Sequence, residues 1–289
     1  MWRIAGLVLG LLGLLLPPTA FAQSRTPASA PESSTAFRSP FANWAVVVVA
    51  GDWHAHSDGP TEAFDNARRD VSLTLADLGF SRGAIRQYSV RPERYPVARP
   101  EKTDLGVIHA GLRALAARNV AGCLFYISSH GAPEGVVLDE GILPPHLLAA
   151  VINDACPSRP SIVVVSACFS GVFVAPLQKN DRMILTAARS DRTSFGCSED
   201  DKYPYFDDCF LSSAETAHDF AALGRAVQAC VARKERDTGA APASEPQLWI
   251  GADLRPLLPL YAFARPPPKP AGKPPAKPPT KPKPRPRRH

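Results

Sequence analysis

The chain has 289 residues, of which 45% are hydrophobic and 21% charged, enough for a substantial core in one large domain or two small ones. Its formal net charge is +6, but residues 265–289 alone contain nine Lys and Arg and no acid. Subtracting those nine charges leaves −3 for residues 1–264, so the globular part is mildly acidic. Without a phosphate-binding glycine loop or a nucleic-acid motif outside that basic segment, specific nucleic-acid binding is not expected.

The first 22 residues have the pattern of an export signal. Arg3 is followed by an apolar run over 6–16 and by Ala20-Phe21-Ala22, a small-x-small cleavage site before Gln23. The run is short for a bilayer span, although a retained N-terminal anchor is the alternative. No Cys follows the cleavage site, which argues against a lipoprotein. The mature protein is therefore expected to be periplasmic or secreted, where disulfides persist.

Strand and helix patterns alternate along the rest of the chain. Residues 23–42 are rich in Ser, Pro and Ala and are predicted to be a linker. The apolar, β-branched segments that predict strands are 44–51, 84–90, 123–129, 161–167, 182–188 and 247–251. Four amphipathic segments predict helices. The first begins near Thr61, the second covers 105–115, the third begins at Pro144-Pro145, and the fourth covers about 213–235.

This alternation predicts one domain over 43–262. Strands joined through helices imply right-handed crossovers, and hence a three-layer α/β/α sandwich with a mostly parallel sheet. Residues 263–289 then repeat Pro and Lys, a composition that cannot bury a core and is expected to form a disordered, polyproline II-like tail. The tail is either a solubilising extension or an electrostatic tether to an anionic envelope polymer or an acidic partner.

Two predicted strands end in residues that carry chemistry. His130 follows the run 123–129, and Cys168 follows 161–167. Parallel strands gather functional groups beyond their carboxyl ends, and paired strands lie about 4.8 Å apart. An imidazole that close to a thiol can accept its proton, which a cysteine nucleophile requires. The backbone N–H groups of Gly131 and Cys168 are candidate oxyanion donors. The alternative is a buried structural cysteine beside an ordinary His-Gly turn.

The same residues resemble the caspase-like clan of cysteine peptidases. His130-Gly131 after one strand and Ser166-Ala167-Cys168-Phe169-Ser170-Gly171 after the next are similar to its legumain-type branch, which includes asparaginyl endopeptidases and the catalytic subunit of GPI transamidase. Residues 50–70 and 185–197 also look like bacterial members of that family. The resemblance implies a caspase-like fold and peptide bond hydrolysis by a Cys168–His130 dyad through an acyl-enzyme, with no metal or organic cofactor.

The resemblance also suggests substrate-binding residues. Thr193 and Ser194 match the pocket-wall segment of legumains, and Asp208 is aligned with the acidic pocket position. Two positions depart from the pattern. Phe64 stands where legumains have a pocket Arg, and Ser166 stands where they have a Glu. A preference for Asn before the cleaved bond is therefore less firmly implied than cleavage itself.

A histidine-rich loop follows the first strand. His54 and His56, with Asp52 and Asp58 nearby, resemble a metal cluster, but a His-x-His without a third committed ligand is a weak signal. We therefore expect no metal and assign His56 to a substrate-contacting loop.

Five cysteines remain once Cys168 is set aside as the nucleophile. Cys123 and Cys156 precede strands that are expected to be adjacent, so they are candidates for a disulfide. The second candidate is Cys197–Cys209 or Cys209–Cys230, and burial as free thiols in the core is the alternative for all of them.

The sequence thus predicts an exported cysteine endopeptidase. Two alternatives remain open. One is a transpeptidase or transamidase, in which an amine replaces water at the same acyl-enzyme. The other is a catalytically idle module whose caspase-like face binds a peptide.

Overall fold

The computed structural model describes residues 39–264. The strands are β1 Trp44–Ala50, β2 Ile85–Ser89, β3 Glu101–Lys102, β4 Gly122–Ser128, β5 Gly131–Ala132, β6 Gly135–Leu138, β7 Gly141–Leu143, β8 Ser161–Ser166, β9 Arg182–Thr186 and β10 Gln247–Ile250. The helices are α1 Ala63–Asp77, α2 Leu105–Ala116, α3 Pro145–Ala155, α4 Val174–Leu177, α5 Tyr205–Ala214 and α6 Phe220–Thr238. The predicted export signal, most of the predicted linker and nearly all of the basic tail lie outside these residues.

Seven strands form one sheet in the order β10-β9-β8-β4-β1-β2-β3. All neighbours in it are parallel except β10, which runs antiparallel to β9 at the edge. β1, β4 and β8 lie in the interior of the sheet and are buried along their whole length. Continuous apolar runs such as "WAVVVVA" suit these positions because both faces of the strand are covered.

The sheet divides the core into two layers. Val46 and Val48 of β1 pack with α1, α5 and α6, whereas Val47 and Val49 pack with α2 and α3 on the opposite face. This alternation follows from the period of two along a strand. The predicted three-layer α/β/α sandwich with a mostly parallel sheet is confirmed.

Three local features differ from the sequence prediction. The helix predicted over 213–235 corresponds to α6 and begins only at Phe220, because the Asp219 side chain accepts from the N–H of Ala222, and the preceding helix α5 was not predicted. The strand 247–251 is present as β10 but antiparallel. A small antiparallel sheet of β5, β6 and β7 was not predicted, because its strands are only two to four residues long.

The packed region extends slightly beyond 43–262 on both sides. Phe41, within the predicted linker, is fully buried and stacks on Phe80 with ring centroids 4.5 Å apart. Phe263, within the predicted tail, is also buried and packs edge-to-face on Phe220 at 4.9 Å. Aromatic burial therefore draws both ends of the described chain into the same core layer. No helix within 39–264 is long and apolar enough to cross a bilayer.

Two disulfides join elements of the fold. Cys123–Cys156 links the start of β4 to the residue after α3, and Cys209–Cys230 links α5 to α6. Cys168 and Cys197 are free thiols. The first pairing and one of the two alternatives for the second agree with the sequence candidates.

We expect loss of the Cys209–Cys230 bond to destabilise the fold. The bond closes a loop of 21 residues, and loops of this size restrict the unfolded chain by about 3 kcal/mol. Cys209→Ala/Cys230→Ala should therefore lower the free energy of unfolding by about 3 kcal/mol, measured by urea denaturation at neutral pH. Cys197→Ser, which breaks no disulfide, is the control. A loss below about 1 kcal/mol in the double variant would contradict this expectation.

Candidate active site

His130 and Cys168 lie beyond the ends of two adjacent strands. Ser128, the last residue of β4, is paired in register with Ser166, the last residue of β8. His130 and Cys168 each come two residues later. The structure therefore brings both to the same edge of the sheet, as the sequence predicted.

Both side chains line one cavity of about 320 Å³. The residues around it are His56, His130, Cys168, Thr193, Ser194, Phe195, Gly196, Cys197, Ser198 and Asp201. A second cavity, of about 480 Å³, is lined mainly by residues 52–58 and also by His130 and Gly131. His130 thus lines both cavities.

Two contacts orient the His130 imidazole. Its Nε2 donates to the carbonyl oxygen of His54 at 3.0 Å, and its ring packs edge-to-face on Phe64 at a centroid distance of 5.0 Å. A carbonyl only accepts, so in the neutral ring Nε2 carries the proton. Nδ1 is then the nitrogen that is able to take a proton from a thiol.

The Cys168 sulfur lies against the segment after β9. The backbone N–H of Ser194 donates to Sγ at 3.2 Å, and the carbonyl and hydroxyl oxygens of Ser194 are both 3.6 Å from it. Phe169 follows with a left-handed φ of 56°, and its N–H is fixed by the Arg192 carbonyl at 2.7 Å. The chain thus turns sharply just after the cysteine, three residues beyond the end of β8.

Two backbone N–H groups are available next to the sulfur. The N–H of Cys168 has no hydrogen-bond partner within residues 39–264. Gly131 pairs with Val136 in the small sheet, and the His130 carbonyl accepts from Val137 at 2.9 Å. Gly131 is therefore at a non-hydrogen-bonded position, and its N–H is not used by the strand pair. Together the two groups have the character of an oxyanion site.

Gly131 also packs against the backbone of Cys168. A Cβ at position 131 would lie 2.2 Å from the Cys168 carbonyl oxygen and 3.0 Å from the Ala167 side chain. Only a residue without a side chain fits between the two strand ends without moving one of them. The glycine therefore controls the separation of the proposed dyad.

We expect Gly131→Ala to lower kcat/KM for peptide cleavage by roughly 100-fold, because a displacement of about 1 Å at a reacting group has an effect of this size. Gly141→Ala is the matched control in the same small sheet, where the nearest atom to the added Cβ is 3.8 Å away. The measurement is steady-state cleavage of a fluorogenic peptide by both variants. Equal activity in the two variants would contradict the close approach.

Sequence reasoning missed Asp207 on α5. It is fully buried, and its carboxylate accepts from Tyr126 and Ser128 of β4 at 2.5 and 2.8 Å and from Ser166 of β8 at 2.7 Å. Burial raises the pKa of Asp207 to about 6, while the three hydroxyl donors oppose that rise. One carboxylate thus joins the two strands that end in His130 and Cys168.

The predicted substrate-binding residues separate into two groups. Thr193, Ser194 and His56 line the cavity beside Cys168. Phe64 supports the His130 ring but does not line either cavity.

Two predicted substrate contacts are corrected by the structure. The hydroxyl of Ser166 is buried on Asp207, so it does not face a substrate. The carboxylate of Asp208 pairs with Lys234 of α6 and is not part of the cavity wall. The acid that does line the cavity is Asp201, in the loop before α5.

The histidine-rich loop is held by its own hydrogen bonds. Asp52 accepts from His54 Nδ1 at 2.7 Å and from the N–H groups of Trp53 and His54. Within 39–264, no three His, Cys, Asp or Glu side chains are arranged to hold a metal ion.

Comparison with known proteins agrees with this geometry. The Peptidase C13 family matches residues 97–231, a span that contains both His130 and Cys168. This chain is a cysteine peptidase, and over this span it is similar to the legumain-type family. The resemblance to the legumain-type family noted in the sequence is thereby confirmed.

The fold of the peptidase is caspase-like. Caspase-1 from Spodoptera frugiperda aligns with a TM-score of 0.53 over 74% of this chain and 88% of that one, at 14% sequence identity. At that identity the likeness concerns the fold alone. Comparison with curated proteins gives no match.

Proposed function

We propose that this peptidase cleaves peptide bonds with Cys168 as nucleophile and His130 as its acid–base partner. The observation that carries the proposal is the shared cavity at two paired strand ends, with unused backbone N–H groups beside the sulfur. Covalent acyl transfer requires a base near a nucleophile and hydrogen-bond donors for the developing negative charge. The two paired strand ends supply both.

The proposed reaction has two steps. The Cys168 sulfur attacks the substrate carbonyl, its proton passes to His130, and the N–H groups of Gly131 and Cys168 stabilise the oxyanion. His130 then protonates the leaving amine, and the C–N bond breaks to leave a thioester on Cys168. Water, deprotonated by His130, attacks the thioester, which releases the acid and restores the thiol.

The residue preference follows the cavity walls. Thr193 and Ser194 present hydroxyl groups in the wall of the cavity that contains Cys168, and His56 lines the same cavity. These polar walls support cleavage after Asn or another polar residue rather than after a large apolar one.

We also propose that the peptidase is exported. The two disulfides support an oxidising compartment, and residues 1–22 have the composition of an export signal. The basic tail would then be free to contact an anionic envelope polymer or an acidic partner. Deletion of 265–289 followed by cell fractionation tests the tether, and unchanged envelope association would contradict it.

A peptide library tests the proposed reaction. The full chain is incubated with the library, and the products are identified by mass spectrometry with and without an added amine. New carboxyl termini support hydrolysis, whereas amide products that contain the added amine support transpeptidation. Binding of peptides without any product, together with a Cys168 that no thiol-directed peptide probe labels, would support the idle binding module and contradict the proposal.

A further inference from the structure

Asp201 is the one acidic side chain in the wall of the cavity beside Cys168. The rest of the wall consists of hydroxyl residues, a phenylalanine, a glycine, two histidines and two thiols, with neither Lys nor Arg. The cavity therefore has a negative charge that its own wall does not neutralise. Asp201 was not identified from the sequence.

The carboxylate of Asp201 is held in place but only partly satisfied. Its Oδ2 accepts from the N–H and the hydroxyl of Ser198 at 2.9 and 2.6 Å. No hydrogen bond or ion pair within residues 39–264 uses Oδ1. One oxygen is thus available to a ligand, while the other fixes the orientation of the group.

The loop that carries Asp201 is anchored to the loop after β1. The Cys197 carbonyl accepts from the His56 N–H at 3.0 Å, and the Ser198 carbonyl accepts from the Thr61 hydroxyl at 3.1 Å. Ser57 also donates to Glu199. These contacts hold the acid in position before a substrate arrives, which lowers the entropy cost of binding.

Lys202, which follows Asp201 in the sequence, and Arg91, which follows β2, are engaged elsewhere. The Lys202 ammonium lies over the Tyr203 ring at 4.9 Å, and the Arg91 guanidinium lies over Trp53 at 4.6 Å. Asp52 and Asp58 line the second cavity, so the wider active edge also has acidic side chains. A cationic substrate would therefore meet several acidic side chains at this edge.

We propose that Asp201 selects substrates with Lys or Arg immediately before the cleaved bond. The inference rests on the proposed function, since the cavity adjoins the sulfur that would attack that residue's carbonyl. A Lys or Arg side chain pairs with the free oxygen of Asp201, an amide leaves the charge of the cavity uncompensated, and an acidic side chain is repelled.

The sequence of the tail is compatible with such a preference. Seven of the nine Lys and Arg in 265–289 are followed directly by Pro. A bond to Pro has no N–H and a constrained geometry, which makes it a poor substrate for most peptidases. The most basic segment of the chain thus offers a Lys- or Arg-specific enzyme few ordinary bonds, at Arg287 and Arg288 only.

The test compares fluorogenic peptides that differ only in the residue before the cut, namely Lys, Arg, Asn, Leu and Asp. With the wild-type chain we expect kcat/KM for Lys or Arg to exceed that for Asn by at least about 10-fold. Asp201→Asn should lower kcat/KM for the Lys peptide by about 10- to 100-fold and leave the Asn peptide within about 3-fold. The matched control, Asp200→Asn, removes an exposed neighbouring acid outside the wall and should change neither.

Reversing the charge at position 201 gives a test that depends on a gain of activity rather than a loss. Asp201→Lys should raise kcat/KM for the Asp peptide above its wild-type value while it lowers that for Lys. A wild-type preference for Asn or Leu, or an equal loss for all peptides in Asp201→Asn, would overturn the specificity assignment alone. No cleavage of any peptide by the wild-type chain would overturn the proposed function as well.

Discussion

Replacing Cys168 with Ala is expected to lower kcat/KM for peptide cleavage by at least about 10⁴-fold, because the covalent route disappears with the nucleophile. The same substitution should remove labelling by a thiol-directed peptide probe. Folding should be unaffected, since Cys168 forms no disulfide and its side chain is half-buried at the edge of the cavity. The measurements are steady-state kinetics and the intact mass after probe treatment.

Cys197 provides an unusually close control for this experiment. It is the other free thiol and lines the same cavity, but burial raises the pKa of Cys197 well above its usual range. At neutral pH it is therefore protonated and a poor nucleophile. Cys197→Ser should still be labelled at Cys168 and should still cleave peptides. Labelling that is lost with Cys197→Ser and kept with Cys168→Ala would reverse the assignment.

Asp207→Asn is expected to change how stability depends on pH. The pKa of Asp207 rises from 3.8 to about 6 on folding, so the folded chain binds the proton more tightly than the unfolded one. Stability that Asp207 contributes in its protonated form is therefore lost as pH rises from about 4 to about 6. The change corresponds to about 3 kcal/mol. Asn cannot titrate, so its variant should not show this loss.

Urea denaturation at pH 4 and pH 7 measures this effect. The stability of Asp207→Asn relative to the wild type should be about 3 kcal/mol more favourable at pH 7 than at pH 4. The substitution also changes the hydrogen bonds from the hydroxyl groups of Tyr126, Ser128 and Ser166. Any pH-independent effect of that change on the free energy of unfolding is the same at both pH values and therefore cancels. Asp208→Asn is the control, because Asp208 is partly exposed and pairs with Lys234. If the change in relative stability between pH 4 and pH 7 is the same for Asp207→Asn as for Asp208→Asn, the raised pKa of a buried Asp207 would be contradicted.

The sequence predicted the fold best at strands that are buried along their whole length. Runs such as "WAVVVVA" and "SIVVVS" need helices on both faces, and that requirement leads to a parallel sheet with functional groups at one edge. The approach of His130 to Cys168 follows from that topology. It depends only on strand order and on counting two residues past each strand.

Contacts between distant segments could not be predicted in this way. Asp207 is next to Asp208 in the sequence, and only packing distinguishes the fully buried acid from the partly exposed one. A signal was present, since Asp207 shares the apolar face of α5 with Phe210 and Ala214 at spacings of three and seven. A carboxylate on that face requires buried donors, and strand-end serines are natural ones.

Asp201 was missed for a different reason. It lies in a run of three consecutive acidic residues that is typical of a solvated loop, and nothing local marks the one that turns toward the cavity. Its position depends on backbone contacts to His56 and Thr61, about 140 residues earlier in the chain. The resemblance to legumains instead directed attention to Asp208, which is on a helix that faces α6.

A crystal structure of the full chain with a peptide aldehyde based on its best-cleaved sequence tests the proposed dyad most directly. We expect a covalent bond from Cys168 Sγ to the aldehyde carbon, with the new oxygen accepting from the N–H groups of Gly131 and Cys168 and with the His130 imidazole beside it. A bond to Cys197 instead, or an oxygen that points away from both N–H groups with His130 out of reach, would contradict it.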